Sequence, residues 1–224
     1  MAYILGYIAT DGCVSEERVL RLGLTIKDES LLYKIKKIME FSGPVLRRIS
    51  RASGKEYESS YMNIYNREIV KDLKELGIVQ NKTFILGAFD FVPKEYELDF
   101  IRGAFDGDGS VGRQGGEKCK NNYQIRVRFF SASKAFLTYI RDVLTQNGLT
   151  DVKIYQDLKR KTNFYYIIYS TNDSINFYNK IYNGASIYLD RKKKKFDELV
   201  SKRIEYENLI KNKNKLKVST EKAN

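Results

Sequence analysis

The sequence contains no histidine and no tryptophan, and only two cysteines, two prolines and three methionines, in 224 residues. Histidine is the usual general base near neutral pH, so its absence excludes Ser-His-Asp hydrolases and histidine-metal nucleases. Cys13 and Cys119 are far apart and lack metal-site spacing, so we expect neither a zinc site nor a disulfide framework. This cysteine usage indicates a reduced compartment.

Long apolar runs are also missing, and none approaches the roughly 20 residues of a membrane-spanning helix. The N-terminus has no charged segment ahead of an apolar one, so we expect no secretory signal. The sequence therefore predicts an intracellular protein, in the cytoplasm, the nucleoid or an organelle matrix, that is neither secreted nor bound to a membrane.

Positive charge, by contrast, is abundant and unevenly placed. The chain has 40 Lys and Arg against 28 Asp and Glu, a net charge of +12, with 17 tyrosines. Residues 1–97 hold 15 basic and 14 acidic residues, a net of +1, and residues 98–224 hold 25 and 14, a net of +11. This balance favours a nucleic acid partner, and tyrosine suits a polar binding face. A merely soluble basic surface is the alternative.

Two short motifs repeat at an offset of 97 residues. Residues 4–12 read ILGYIATDG, and residues 101–109 read IRGAFDGDG. Each motif is followed by an alternating strand, at 18–26 and 123–129, and then by a helix, at 28–41 and 133–147. Aligning the helices places Arg21 against Arg126, and Asp28 and Ser133 are expected N-caps.

A hairpin and a further helix complete each half. The predicted hairpins pair residues 45–51 with 57–65 and residues 152–158 with 164–170, and the helices cover 67–76 and 173–182. Each half is thus predicted as α-β-β-α-β-β-α. The expected divisions are residues 1–82 for the first half, 83–97 for a linker, 98–210 for the second half, and 211–224 for a disordered basic tail. A helix from about 189 to 210 should precede the tail.

The Asp-Gly pair that ends each motif is unusual. Gly12 and Gly109 are predicted to end two helices, which places Asp11 and Asp108 in their last turns. A carboxylate there faces the negative end of the helix dipole, which is unfavourable by roughly 0.3–1 kcal/mol. Breaking a local rule at two equivalent positions points to a functional site. The alternative is that each Asp-Gly pair is only a turn.

Small residues within the motifs favour contact between the two helices. Gly6 and Gly103 would let the backbones approach closely, and this would bring the two carboxylates together. Two adjacent carboxylates do not both stay ionised without a cation, and oxygen ligands suit Mg²⁺. Paired metal ions at a phosphate stabilise both the attacking and the leaving oxygen.

Residues 4–12 and 101–109 resemble the two signature motifs of the LAGLIDADG homing endonucleases, and the order of elements resembles that family over nearly the whole chain. The resemblance implies an α+β fold, a pseudo-twofold pair of αββαββα subdomains with two antiparallel saddle-shaped sheets along the DNA major groove. It implies a monomeric meganuclease, a hydrolase that makes a double-strand break at a long, near-asymmetric DNA target.

The resemblance also implies a metal centre. Asp11 and Asp108 would be catalytic and would bind Mg²⁺ or Mn²⁺, whereas Ca²⁺ would bind without supporting cleavage. The carbonyls of Thr10 and Gly107 would join the metal shell. An intein-embedded form is disfavoured because protein splicing normally uses histidine, so we expect an intron-encoded or free-standing enzyme. The chain begins almost inside its first motif, which favours a trimmed N-terminus.

The family places a basic residue near each active site, which implies Lys82 in the first half and Lys192 in the second as catalytic residues. The alternative is that both lysines contact phosphates away from the chemistry. Asp106 is also acidic, but its first-half counterpart is Ala9, so we expect it to have a structural role.

Long polar side chains on one face of each sheet are expected to read the DNA major groove. Met62 and Ile64 should face the core, with their neighbours facing DNA. An ordinary solvent face is the alternative for the arginines of residues 123–129. The candidate DNA contacts are Arg21, Arg47, Arg48, Lys55, Tyr57, Ser59, Tyr61, Asn63, Tyr65, Gln124, Arg126, Arg128, Lys159, Arg160, Asn163 and Tyr165. Lys55, Lys159 and Arg160 are assigned to phosphates at hairpin tips.

Two other functions use the same fold. An RNA-binding maturase would take intron RNA as its partner, and a sequence-specific DNA-binding protein would bind DNA without cutting it. Loss of the acidic residues would indicate either of these, and both Asp11 and Asp108 are present, which favours the nuclease.

Overall fold

The computed structural model describes residues 1–15, 18–52, 54–114, 123–160 and 162–221. The first half consists of α1 (Ala2–Asp11), β1 (Cys13–Val14), β2 (Val19–Thr25), α2 (Glu29–Ile38), β3 (Leu46–Ala52), β4 (Lys55–Tyr65) and α3 (Arg67–Glu75). The second half consists of α4 (Glu97–Asp108), β5 (Ser110–Arg113), β6 (Ile125–Ser131), α5 (Lys134–Gln146), β7 (Tyr155–Gln156), β8 (Tyr165–Tyr169), α6 (Thr171–Tyr182) and α7 (Asp190–Glu221).

Two four-stranded antiparallel sheets carry the repeat, in the orders β1-β2-β4-β3 and β5-β6-β8-β7. The predicted α-β-β-α-β-β-α order of each half is confirmed. The last hairpin is shorter than predicted, because β7 pairs with β8 over two residues only. Beyond β7 the hairpin continues through a backbone hydrogen bond from the Asp157 amide to the Phe164 carbonyl, 2.8 Å long.

Helices α1 and α4 pack against each other along their glycines. A Cβ atom on Gly6 would lie 2.0 Å from the Phe100 carbonyl oxygen, and one on Gly103 would lie 2.0 Å from the Tyr3 carbonyl oxygen. Only glycine fits at such backbone contacts. The predicted close approach of the two motif helices is therefore confirmed.

Both motif helices end at the predicted glycines, but for a different reason from the one expected. Gly12 and Gly109 have φ of −71° and −75°, so neither uses the left-handed conformation that usually favours glycine after a helix. A Cβ on Gly12 would lie 2.7 Å from the Ile8 carbonyl oxygen, and one on Gly109 would lie 2.7 Å from that of Phe105. Lack of space, rather than φ, selects glycine here.

The predicted linker, residues 83–97, packs into the second half. Phe89 is 1 % exposed, and its ring centroid lies 4.6 Å from that of Phe100 and 5.6 Å from that of Phe136. Leu86 and Val92 are also buried. Apolar contacts thus hold the connection between the halves in place. They fix the position of the end of the first half relative to α4.

Helix α7 continues to Glu221, whereas the sequence predicted a helix end near residue 210 and a disordered tail. Residues 190–221 contain no glycine or proline, so nothing local stops the helix. Its first part is anchored by Phe196, which is buried against Phe105 and Phe177.

Across the described ranges, no helix has the length and apolar character needed to cross a membrane.

Candidate functional site

Asp11 and Asp108 are the last residues of α1 and α4, and each is exposed on the side that lines a cavity, while the rest of the carboxylate is surrounded by protein. Burial of the carboxylate by the surrounding protein, together with the nearby Asp11 charge, raises the pKa of Asp108 to about 6. Burial likewise raises the pKa of Asp11. The ionised form of each carboxylate is therefore destabilised, and a cation bound between them would stabilise both ionised forms.

The chemistry of the donor set decides whether a metal ion fits between these two residues. Within the described part of the chain, no group of three or more acidic or thiol side chains could hold a metal ion. The side-chain donors are the two carboxylates, and the carbonyls of Thr10 and Gly107 directly precede them in the chain. Oxygen donors of this kind, completed by water, suit Mg²⁺ or Mn²⁺.

A buried lysine lies at the end of each motif helix. Lys82 is 7 % exposed and donates to the Gly12 carbonyl, and Lys192 is 8 % exposed and donates to the equivalent Gly109 carbonyl at 2.7 Å. Lys192 Nζ has three further acceptors, the carbonyls of Phe105 at 2.6 Å, Asp106 at 2.8 Å and Gly107 at 3.3 Å.

The electrostatic setting of the two lysines is also matched. Burial lowers the pKa of both amines, to about 8 for Lys192, while Asp11 and Asp108 oppose the shift in each case. The structure thus places both predicted lysines next to both aspartates, although they come from different halves of the chain.

Asp106 holds several elements together beneath this site. Its buried carboxylate accepts hydrogen bonds from the Tyr3 hydroxyl at 2.8 Å, the Tyr182 hydroxyl at 3.3 Å and the Leu189 amide at 2.7 Å. Burial raises its pKa to about 6. The bond to Leu189 fixes the backbone just ahead of α7, and this segment carries Lys192 into position.

Asp28 and Ser133 both occupy the predicted N-cap positions, but only Ser133 makes a side-chain capping hydrogen bond. The Asp28 side chain makes no capping bond, is 3 % exposed, and accepts from Arg191 Nε at 3.0 Å and Nη2 at 2.9 Å. Ser133 Oγ accepts from the Phe136 amide at 3.2 Å. Sequence reasoning missed the Asp28–Arg191 pair, since Arg191 lies in a run of five basic residues.

Each motif aspartate opens onto a cavity of its own. The cavity at Asp11, about 520 Å³, includes Arg21, Arg48, Tyr61 and Arg191 in its walls. The cavity at Asp108, about 350 Å³, is lined by Thr83, Phe130, Arg160 and Phe164 among others. The two candidate reaction centres therefore differ in chemistry, although their aspartates and lysines match.

The first sheet has one face turned away from the helices. On β4, Ser60, Met62 and Ile64 are buried, as predicted for the last two, and the intervening side chains lie on the opposite face. That outer face carries Lys55, Tyr57, Ser59, Tyr61, Asn63 and Tyr65, together with Arg21 and Arg48, which pair with Asn63 and Ser59. Arg21 Nε also donates to Asn63 Oδ1 at 2.8 Å.

Arg47, a predicted DNA contact, lies on the other face. It pairs with buried Ser60 rather than with an outer-face residue, because consecutive residues of a strand point to opposite faces. Its guanidinium binds Glu29 of α2 through two hydrogen bonds of 2.8 and 2.9 Å. Arg47 and Arg48 cannot both face DNA.

On the second sheet, Arg126 and Arg128 alternate with buried residues and lie on the outer face, beside Gln124. Tyr165, a further predicted DNA contact, instead pairs with Ser131 and packs against the core. Its neighbour Tyr166 takes the outer position.

The outer face of this sheet also carries aromatic residues that sequence reasoning missed. Tyr166 pairs with Phe130, which continues the alternation of Arg126 and Arg128 along β6. That alternation was the signal that could have identified Phe130. Lys159, Arg160 and Asn163, which were predicted as contacts, are exposed in the β7–β8 connection.

Comparisons with known proteins place the chain among relatives of one architecture. The family model described as LAGLIDADG-like domain matches residues 1–77 and 95–182. No curated protein matches the sequence. The solved structure of the homing endonuclease I-WcaI bound to its DNA recognition sequence is 13% identical, with a TM-score of 0.60, and the match covers 87% of this chain and 84% of that chain.

Two further solved structures show the same fold. I-DmoI in complex with DNA and Ca is 16% identical with a TM-score of 0.54, over 88% of this chain and 96% of that chain. The LAGLIDADG meganuclease I-AabMI bound to uncleaved DNA is 15% identical with a TM-score of 0.52, over 94% and 91%. The predicted fold, two αββαββα units with two antiparallel sheets, is confirmed.

Proposed function

This chain belongs to the LAGLIDADG-like domain family, and from that membership we propose that it is a site-specific endonuclease that hydrolyses one phosphodiester bond in each strand of double-stranded DNA. One observation carries the proposal. Asp11 and Asp108 meet at the ends of two packed helices, each with a buried lysine and its own cavity. Two equivalent sites in one chain suit two strands that are cut by one monomer.

Asp11 and Asp108 would hold Mg²⁺ or Mn²⁺ with the carbonyls of Thr10 and Gly107. Bound there, the metal supplies positive charge to the attacking and leaving oxygens of the phosphate. Burial raises the pKa of each carboxylate, and the Asp11 charge adds to the rise at Asp108, so a bound cation that favours the ionised forms fits this assignment. The solved complexes of I-DmoI with DNA and Mn, and with DNA and Ca, support the use of a divalent metal by proteins of this fold.

The protein's own groups would then position the DNA. Lys82 and Lys192 hold the carbonyls at the two helix ends, which fixes the direction of the aspartates. Arg191, oriented by buried Asp28, lies in the Asp11 cavity, where a guanidinium suits a phosphate. The outer faces of the two sheets supply arginine, asparagine, glutamine and tyrosine for contacts with base edges.

The test is cleavage of a randomised duplex DNA library in Mg²⁺, with Ca²⁺ and a chelator as controls. We expect recovery of one long, near-asymmetric site that is cut only in Mg²⁺ or Mn²⁺. Asp11→Asn and Asp108→Asn should bind this site in Ca²⁺ but lose double-strand cleavage by at least 1000-fold, a loss of the size seen for essential catalytic groups. A site that is selected but never cut by the wild type would refute the nuclease, and selection of structured RNA alone would replace it with the maturase.

Adjacent arginines offer a matched pair for testing the outer face. Arg48→Ala should weaken binding of the selected site by about 5- to 150-fold, the equivalent of 1–3 kcal/mol for a base contact. Arg47→Ala removes the same charge but lies on the inner face, so its affinity should stay within threefold of the wild type. Titrating both variants with labelled duplex in Ca²⁺ measures this. Equal losses would mean that only net charge matters at this position.

The charge asymmetry predicts that the C-terminal segment adds affinity that depends on salt. Residues 211–224 contain five lysines and one glutamate, so replacing all five lysines by glutamine removes five positive charges. Each phosphate contact contributes about 0.9 to the slope of log K against log salt, so we expect a slope at least two units shallower. The chosen DNA sequence should not change. An unaltered slope would show that these lysines do not contact phosphates.

A further inference from the structure

One row of side chains crosses three strands on the outer face of the first sheet. Thr25 of β2 pairs with Ser59 of β4, and Ser59 pairs with Arg48 of β3. Directly paired residues of antiparallel strands share a face, so the three side chains lie side by side. We call Thr25, Ser59 and Arg48 the polar row.

The equivalent row of the second sheet is aromatic. Phe130 of β6 pairs with Tyr166 of β8, and Tyr166 pairs with Tyr155 of β7. Aligning Arg21 with Arg126 equates Thr25 with Phe130, so this aromatic row, Phe130, Tyr166 and Tyr155, stands where the first half has the polar row. The two halves therefore present different chemistry at matched positions.

Each ring of the aromatic row is stacked on another ring. Tyr155 stacks on Tyr166 with centroids 5.4 Å apart, and Phe130 stacks on Phe164 with centroids 5.9 Å apart, each pair at 19°. The Arg160 guanidinium carbon lies 3.7 Å from the centroid of the Phe164 ring. A nucleic acid base that stacks on a protein needs a free ring face. Each stacked ring has one face covered by its partner, which leaves less surface for a base, while its edge can still contact a small apolar group.

One end of the aromatic row, Phe130, lies beside one of the two candidate reaction centres, whereas Tyr155 and Tyr166 line a separate pocket with Arg126. Phe130, Phe164 and Arg160 line the cavity at Asp108, whereas the polar row contributes Thr25, Ser59 and Arg48 to the cavity at Asp11. The polar row and the Phe130 end of the aromatic row therefore lie close to the two aspartates.

We propose that the aromatic row reads thymine methyl groups at the base pairs nearest the phosphate handled by Asp108, which makes this half of the target rich in A·T pairs next to the cleavage point. The inference rests on the proposed function. In the major groove only thymine presents a methyl group, and aromatic or other apolar side chains recognise it by contact. The polar row offers hydrogen-bonding groups and no aromatic ring, so the matching positions of the other half-site should depend much less on methyl groups.

The experiment uses the wild-type protein and the site recovered from the randomised library. Deoxyuridine, which lacks only the methyl group, replaces thymine in the half-site under the second sheet, and binding is titrated in Ca²⁺. We expect affinity to fall about three- to fivefold per methyl group removed, the amount for one buried CH₂ group. Cytosine at the same positions should bind weakly and regain affinity when it is 5-methylated. Deoxyuridine in the half-site under the first sheet is the matched control and should have much less effect.

The second part of the test changes the protein instead of the DNA, by replacing residues of the aromatic row. Phe130→Ser combined with Tyr166→Ser removes the apolar surface at both positions, and this variant should bind deoxyuridine and thymidine sites equally. Equal binding of both sites by the wild type, or G·C pairs at these positions in the recovered site, would overturn the inference while leaving the nuclease intact. Single strands that compete better than duplex would overturn it in favour of base stacking. Failure to recover any site would refute the proposed function itself.

Discussion

Replacing Lys192 by methionine is expected to lower the single-turnover cleavage rate by roughly 100- to 1000-fold, the loss seen when one preorganised electrostatic donor is removed from an active site. The Lys192 ammonium is buried and donates to four carbonyls at the end of α4, so it fixes the turn that presents Asp108. It also supplies positive charge to Asp11 and Asp108. Methionine fills the same space without either effect.

Binding and stability should respond much less than cleavage. The Phe105 carbonyl keeps a second donor, the Gly109 amide at 2.9 Å, so we expect an unfolding free energy lower by about 1–3 kcal/mol rather than a collapse of the fold. Affinity for the selected site in Ca²⁺ should stay within tenfold. Lys194→Met is the control, because Lys194 is exposed on the same helix. This variant should cleave DNA at the wild-type rate. A folded Lys192→Met protein that cleaves within threefold of the wild type would refute the positioning role.

Local sequence patterns predicted the parts of this fold that depend on local physics. The motif helices, their ends at Gly12 and Gly109, and the exposed aspartates in their last turns follow from apolar spacing and helix-ending residues. The order of elements follows from the repeat. The close approach of α1 and α4 was also predictable, since Gly6 and Gly103 at matched positions serve no other purpose within a helix.

What the sequence did not predict depends on long-range contacts or on strand parity. Asp28 looked like a helix cap, but its partner Arg191 lies 163 residues away. In β8 the run from Tyr165 to Tyr169 is apolar or aromatic throughout, so alternation could not reveal that Tyr165 faces the core. Arg47 and Arg48 are adjacent and identical, so the sequence could not show which of the two faces the core. A shift of one residue in the register of a strand moves its side chains to the opposite face of the sheet. The register is set by pairing with β4 or β6, which lies far away in the sequence.

The second large effect is expected from single methyl groups between α1 and α4. Gly6→Ala and Gly103→Ala should each lower the unfolding free energy by about 3 kcal/mol or more, because each new Cβ would lie 2.0 Å from a backbone oxygen of the other helix. A backbone cannot rotate away as a side chain does, so the helices must separate. Gly112→Ala is the control, since a Cβ there meets nothing within 4 Å. Urea unfolding of the three variants measures the difference.

Helix separation should also reach the candidate site. Gly107 lies at the same interface, where a Cβ would be 2.0 Å from Thr10 Oγ1, so the spacing of the two helices also sets the spacing of Asp11 and Asp108. At temperatures where Gly6→Ala and Gly103→Ala remain folded, they should bind the selected site in Ca²⁺ yet cleave it at least tenfold more slowly in Mg²⁺. Full activity in a folded, destabilised variant would mean that the two centres work independently of their separation. Slower cleavage would mean that the contact between two glycine-bearing helices sets the geometry of both cuts.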